Sequence, residues 1–352
     1  MGRPSAFRES QQRVGRICAP PTESRLLRRR LLDEIVSVVP FDYYAWVLTD
    51  PETEVGSLPL AEIPDLTRLP ELVRLKYLTT HNRWTHLDGA VALLARHNGS
   101  GLSASLLWRQ LLSQYGVVDV ASVVFRDEFG CWGFLDLWRT TSSPFSADEA
   151  AYLADLAAPI TMALRRSQAA TFTPRTNNSD AHRGPVVLLL SATLQLLAQT
   201  RETDEYLRLL LPPELTHSPV PASAYNVGGQ LLAVESNVDE HHASARVHLS
   251  GGRWLTLRAA RVMDASSAPN RDIAVTIEDS APAERTAVFG RAHGLTPRER
   301  ELLEHLVTGL ATQEIASRLF LSPHTVQDHL KSIFTKTSVR SRPALVSRAL
   351  GS

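Results

Sequence analysis

The sequence holds only two cysteines, Cys18 and Cys131, in 352 residues, too few for a disulfide framework or for a metal centre of their own. No run of about 18 apolar residues occurs, so no membrane-spanning helix is expected. Arg3, Arg8, Arg13 and Arg16 stand near the N-terminus with no continuous apolar stretch after them, which is not the pattern of a secretory signal. Net charge is zero, with 37 basic and 37 acidic side chains, so no uniformly charged surface is implied. The usual enzyme signatures are missing too: there is no G-x-x-x-x-G-K-[ST] phosphate loop, no H-E-x-x-H, no paired C-x-x-C and no G-x-S-x-G elbow. His86 and Asp88 have no third ligand at metal spacing. The pair His241-His242 sits with Asp239 and Glu240 in a polar loop, which reads as a solvated turn. No catalytic residue, resident cofactor or metal is expected, and the location expected is the cytoplasm.

What is present concentrates in Gly294 to Ser352. Thr296, Pro297 and Glu299 form a helix-start signal: the hydroxyl caps, proline fits the first turn, and the glutamate reaches back to the cap's own amide. Leu302, Leu303, Leu306, Val307 and Leu310 then recur at helical spacing, with Gly309 as the stop. A short helix from about Gln313 to Phe320 groups Ile315, Ala316, Leu319 and Phe320 on one side. Ser322 and Pro323 open a third helix with Val326, Leu330, Ile333 and Phe334 on its apolar stripe. His324, Asp328, Lys331 and Thr335 lie opposite, with Gln327 on the flank. Those polar groups suit base edges: Gln pairs with adenine, Asp accepts from cytosine N4, Lys donates to guanine or a phosphate. From Arg291 onward nine basic side chains stand against five acidic ones, so the basic excess sits in the segment marked for DNA.

This segment resembles the LuxR-type (GerE-type) helix-turn-helix family along its whole length. The motif falls on Leu295, Thr296, Arg298, Glu299, Gly309, Glu314, Ile315, Ala316, Leu319, Ser322, Thr325, Val326, His329, Lys336, Val339 and Arg342. The resemblance implies that the helix opened by Ser322 enters the major groove, with Gln327, Asp328 and Lys331 facing bases and Thr325, His329 and Lys336 near phosphates. It also implies that a fourth helix, about Arg342 to Leu350, pairs two copies, and it points to an actinobacterial source. Asp328 departs from the expected charge, since a carboxylate near phosphates meets repulsion.

Upstream the chain reads as two α/β sensor units, which makes the whole multidomain. Residues 1–23 are expected as a flexible N-terminal tail. Residues 24–169 show a helix from Ser24 and a strand from Phe41 to Thr49. A strand pair follows around Asp127-Glu128-Phe129-Gly130, then a helix from about Ala147 opened by Ser146 and Glu149. That order resembles GAF-type sensor domains, an α+β fold. Tyr44, Trp46, Trp84, Trp132 and Phe134 are candidates to line an apolar ligand pocket, with ordinary core packing as the alternative reading. Residues 170–184 read as a linker. Residues 185–280 run strand, strand, helices, three strands and resemble a smaller PAS-like domain; 281–293 reads as a second linker before the all-α four-helix DNA-binding domain at 294–352.

The sequence therefore reads as a transcriptional regulator of double-stranded DNA, acting as a homodimer. An unidentified small-molecule effector is its input, RNA polymerase is a protein it meets, and a membrane is not a partner. Two other readings stay open. One is an acyl-homoserine-lactone-type quorum-sensing receptor, whose pockets Trp46 and Asp50-Pro51 superficially resemble, although such receptors are shorter and have one sensor domain. The other is an interaction protein that uses the helix-turn-helix to hold a protein partner.

Overall fold

The computed structural model describes residues 3–96, 101–141, 143–173, 186–209, 222–249, 252–262 and 272–351. Its first body contains helices α1 (Arg3–Cys18) and α2 (Ser24–Val36), strands β1 (Tyr43–Thr49) and β2 (Gly56–Glu62), helix α3 (Leu69–Leu78), strand β3 (Val91–Leu93), helix α4 (Leu106–Gln110), strands β4 (Asp119–Asp127) and β5 (Gly130–Arg139), and helix α5 (Ala147–Ala170). The five strands form one antiparallel sheet in the order β2-β1-β5-β4-β3. The start of α5 is the capping box read from sequence, with Ser146 Oγ accepting from the Glu149 amide and Glu149 accepting from the Ser146 amide.

The second body comprises β6 (Val186–Leu190), β7 (Leu196–Gln199), α6 (Thr203–Leu209), α7 (Ala222–Glu235), β8 (Ser244–His248), β9 (Trp254–Arg261) and β10 (Ile273–Asp279). Its antiparallel sheet has the order β7-β6-β10-β9-β8, the same arrangement as the first: strand two, one, five, four, three. The C-terminal body is helical: α8 (Pro282–Ala292), α9 (Pro297–Val307), α10 (Thr312–Arg318), α11 (Pro323–Thr337) and α12 (Arg342–Leu350). No helix of the described residues is long and apolar enough to cross a membrane.

Three sequence expectations need correction. Most of the expected N-terminal tail is helix α1, with Val14 and Cys18 buried. Phe7 stacks on Tyr152 at 4.8 Å, and Ser10 Oγ lies 2.7 Å from the Tyr152 hydroxyl. Phe7, Ser10, Val14 and Cys18 recur at helical spacing, a stripe that the arginine-rich surroundings hide. The expected linker at 281–293 is helix α8. Pro282 occupies its first turn, the Glu284 carboxylate takes the Ala281 amide at 2.9 Å, and Val288, Phe289 and Ala292 are buried. The other expected linker, 170–184, begins with a core residue, fully buried Phe172; its remainder from Pro174 lies outside the described residues.

The two sheets do not hang on a string. Helix α7 packs on the second sheet and also against α3 and β2 of the first body. A Cβ at Gly229 in α7 would come within 2.9 Å of the Tyr77 ring, so only glycine permits that approach. Two buried ion pairs cross the interface in opposite senses, Arg83 to Asp239 at 2.6 Å and Arg246 to Asp50 at 2.6 Å.

Candidate nucleic-acid interface

Helix α11 begins where Ser322 Oγ accepts the Thr325 amide at 3.0 Å, with Pro323 in the first turn. Val326, Leu330 and Ile333 are buried against the preceding helices, each worth about 1.5–3 kcal/mol of burial. The opposite face is open: Gln327, Asp328, Lys331 and Thr335 are exposed among the described residues. The turn between α10 and α11 takes a left-handed residue, Phe320, at φ +53°. That conformation overturns the expected place of Phe320 on the inner side of the second helix, because α10 stops at Arg318 and the ring swings out to 95% exposure. Leu319, one position earlier, stays buried as expected.

The predicted DNA-facing residues divide by what already holds them. Ser322 and Thr325 hydroxyls share a hydrogen bond at 2.9 Å, and Gln327 Nε2 reaches Thr312 Oγ1 at 3.5 Å. His329 is half-buried. Lys336 is committed inward: its Nζ lies 2.6 Å from Glu299, which also accepts from Ser332 Oγ at 2.6 Å and from the Thr296 amide at 2.7 Å. One buried carboxylate thus caps α9 and ties α11 to it. Asp328 is flanked on both sides, by Lys331 Nζ at 3.1 Å and His324 Nδ1 at 3.0 Å. The bond to Lys331, with the nearby His324, holds its carboxyl below the ordinary range. His324 joins the expected contact residues through its spacing of four from Asp328 on the helix.

Burial opposes ionisation of Glu299, but the bonds from Lys336, Ser332 and the Thr296 amide outweigh it and hold the carboxyl below its usual 4.5. A depressed carboxyl stabilises above its unfolded value and loses that contribution as pH falls through the folded one. Glu299→Gln is therefore expected to cost about 1–2 kcal/mol at pH 7. Urea unfolding curves of the two proteins should converge below pH 4.5. A difference that persists undiminished at pH 3 would show that ionisation of Glu299 is irrelevant.

Helix α12 is held by the chain itself. Leu345 and Ala349 are buried, Arg285 of α8 donates to the Arg348 and Ala349 carbonyls, and Arg348 donates to the carbonyls of Phe172 at 2.9 Å and Thr337 at 2.8 Å.

The proposed pocket aromatics do not converge. Trp46 and Trp132 belong to the core between the first sheet and helices α2 and α5, where Trp46 stacks on Phe125 at 5.1 Å and half-buried Tyr44 packs at its edge. Trp84 and Phe134 stack on each other at 4.3 Å in a separate cluster with Val47. Phe134 pairs with Val47 and Leu135 with Trp46, so strand alternation sends Phe134 and Trp46 to opposite faces. All four rings other than Tyr44 are at most 4% exposed. Trp46, Trp84, Trp132 and Phe134 are core packing, and no single pocket can gather the five. Among the described residues, no group of three His, Cys, Asp or Glu side chains is arranged to hold a metal.

Residues 293–349 match the family of bacterial regulatory proteins, luxR family (GerE). The transcriptional regulatory protein FixJ of Azorhizobium caulinodans is 46% identical over 66 residues, 19% of this chain and 31% of that protein. The CsgBAC operon transcriptional regulatory protein of Escherichia coli K12 is 46% identical over 55 residues, 16% of this chain and 26% of that one. The chain thus spans less than a third of the length of these curated relatives. Escherichia coli SdiA aligns over 98% of both chains at 12% identity, with a TM-score of 0.37, a value that does not define a shared fold. The identity between residues, the capped helices and the tight turn all fall in one place: residues 293–349 are a luxR-family helix-turn-helix domain.

Proposed function

We propose that the protein is a transcriptional regulator that binds double-stranded DNA through α11, with its input received by the two sheet bodies. The observation that carries this reading is the open polar face of α11 within a segment that matches the luxR family. In a helix-turn-helix the second helix lies in the major groove with its N-terminal part on base edges. Gln327, Asp328 and Lys331 are the base-facing set, and Ser322, Thr325 and His329 the phosphate-side set. Lys336 acts mainly by fixing α11 on Glu299. Two copies bind a two-fold symmetric site, because the modest basic excess of one domain neutralises few phosphates. Residues 24–169 act as a GAF-like unit and 185–280 as a PAS-like unit. Both sheets have the strand order two, one, five, four, three, which supports treating them as related sensors. The effector is a small molecule, RNA polymerase is the machinery acted upon, and the protein works in the cytoplasm.

Charge reversal at Lys331 tests the assignment, because its side chain is 74% exposed and its loss leaves the core untouched. Lys331→Glu is expected to abolish enrichment of discrete sites when DNA bound by the intact protein is mapped across its genome. Its unfolding midpoint should stay unchanged. Wild-type binding should weaken steeply with added salt. Retained site occupancy in the variant, or salt-insensitive capture of a protein partner, would overturn the reading.

A further inference from the structure

We infer that Asp328 and Lys331 act as one unit that reads a C·G base pair, with His324 holding the carboxylate in place; this rests on the proposed DNA binding by α11. The sequence presents these side chains singly, and the structure joins them. Asp328 Oδ1 lies 3.1 Å from Lys331 Nζ, and Asp328 Oδ2 lies 3.0 Å from His324 Nδ1. All three are exposed on the open face, the aspartate side chain at 52%.

The pair sets an acceptor beside a donor. A carboxylate has about four lone-pair sites and an ammonium has three protons. After the contacts with His324 and Lys331, both groups keep unused hydrogen-bonding capacity. In the major groove a C·G pair shows the complement: cytosine N4–H is a donor and guanine O6 an acceptor. Those two atoms are bonded to each other, about 2.9 Å apart, close to the spacing of the Asp328–Lys331 pair. An A·T pair also sets a donor beside an acceptor, but adenine N7 next to N6 repels a carboxylate. The thymine methyl next to O4 crowds an ammonium, whereas guanine adds N7 as a second acceptor. The contact with Lys331 also resolves the oddity of an acid on a DNA-facing helix. Phosphate repulsion falls on a cluster whose aspartate charge is already balanced by Lys331, so the acid adds selectivity at small cost in affinity.

The test is selection of bound duplexes from a randomised pool by the full-length protein, for wild type, Asp328→Ala and Asp328→Asn. Wild type is expected to enrich a symmetric pair of sites, each with a fixed C·G position. Asp328→Ala should lower discrimination at that position about tenfold or more, with the salt dependence of binding unchanged. Asp328→Asn should move the preference there toward adenine, which an amide matches through N6 and N7. A wild type that selects sites strongly, with no C·G position responding to either variant, would show that the contacts are only a helix-surface ion pair. In that case DNA binding stands and this inference falls. If wild type selects no sequence at all, the proposed function falls, and the inference falls with it.

Discussion

Replacing Arg83 by methionine is expected to destabilise the protein by about 3–5 kcal/mol, because it strands a buried carboxylate. The Arg83 side chain is fully buried and divides its donors between its own body and the second one. Nε and Nη2 reach Asp239 Oδ2 at 2.9 and 2.6 Å, Nη2 reaches Gln230 at 3.0 Å, and Nη1 donates to the Tyr77 carbonyl. The guanidinium also lies 4.8 Å from the centre of the Trp84 ring. Asp239 is equally buried, and its second oxygen accepts the His241 amide at 2.9 Å and Nδ1 at 2.6 Å. Burial works against that carboxylate, yet the His241 bonds and Arg83 hold it far below the usual range. Methionine keeps most of the volume but leaves the charge of Asp239 without its guanidinium, with only His241 beside it. The double variant Arg83→Met, Asp239→Leu removes both charges and should regain much of the loss. Urea unfolding of the three proteins decides this: a single variant within 0.5 kcal/mol of wild type would mean that the interface does not depend on the pair.

What the sequence made legible, and what it hid, separates along the range of the interactions. The strand pair β4 and β5 meets at the Asp127-Glu128-Phe129-Gly130 turn as expected, because that turn is a local signal. The starts of α5, α9 and α11 were equally plain, since Ser146, Thr296 and Ser322 cap within three residues of themselves. Helix α8 carried the same kind of signal in Pro282 and Glu284, yet its cap position is Ala281, which lacks a side-chain acceptor. The pocket reading failed for a different reason. Trp46 and Phe134 are both apolar strand residues, and only the pairing of β1 with β5 shows that they face opposite ways. Arg83 and Asp239 lie 156 positions apart, and nothing local announces that one is the other's partner. The open face of α11 was visible from its period. The inward turn of Lys336 was not, because Glu299 reads first as a cap residue and only the folded helices bring the lysine to it.

Phe172→Ala is the change expected to separate the DNA-binding domain from the two sheets, at a cost of about 3–5 kcal/mol. Phe172 follows the end of α5, is fully buried, and touches all three bodies. Its ring stacks on Trp254 of the second sheet at 4.7 Å and meets Phe289 of α8 edge-on at 5.2 Å. The Arg285 guanidinium sits 5.1 Å from its centre, and its carbonyl accepts from Arg348 of α12. An alanine leaves a cavity that several rigid elements would have to move together to close. The same junction contains His248, 5.5 Å from the Trp254 ring, and His293, 4.4 Å from Phe289. Burial pushes both down to about 4, with Arg285 adding to the effect at His248 and Arg348 at His293. A base depressed on folding keeps its stabilising contribution above its unfolded value, 6.5 here, and loses it as pH falls toward the folded one. Mild acid should therefore weaken the junction in the same direction as the substitution. Calorimetry at pH 7 is expected to show the variant's helical domain melting apart from the sheets, with wild type moving toward that profile between pH 6.5 and 4. DNA affinity of the released domain separates structure from regulation. A variant that melts in two steps yet keeps operator binding but loses its response to input would identify Phe172 as the coupling residue. A variant that melts like wild type would show that the three bodies are held together elsewhere.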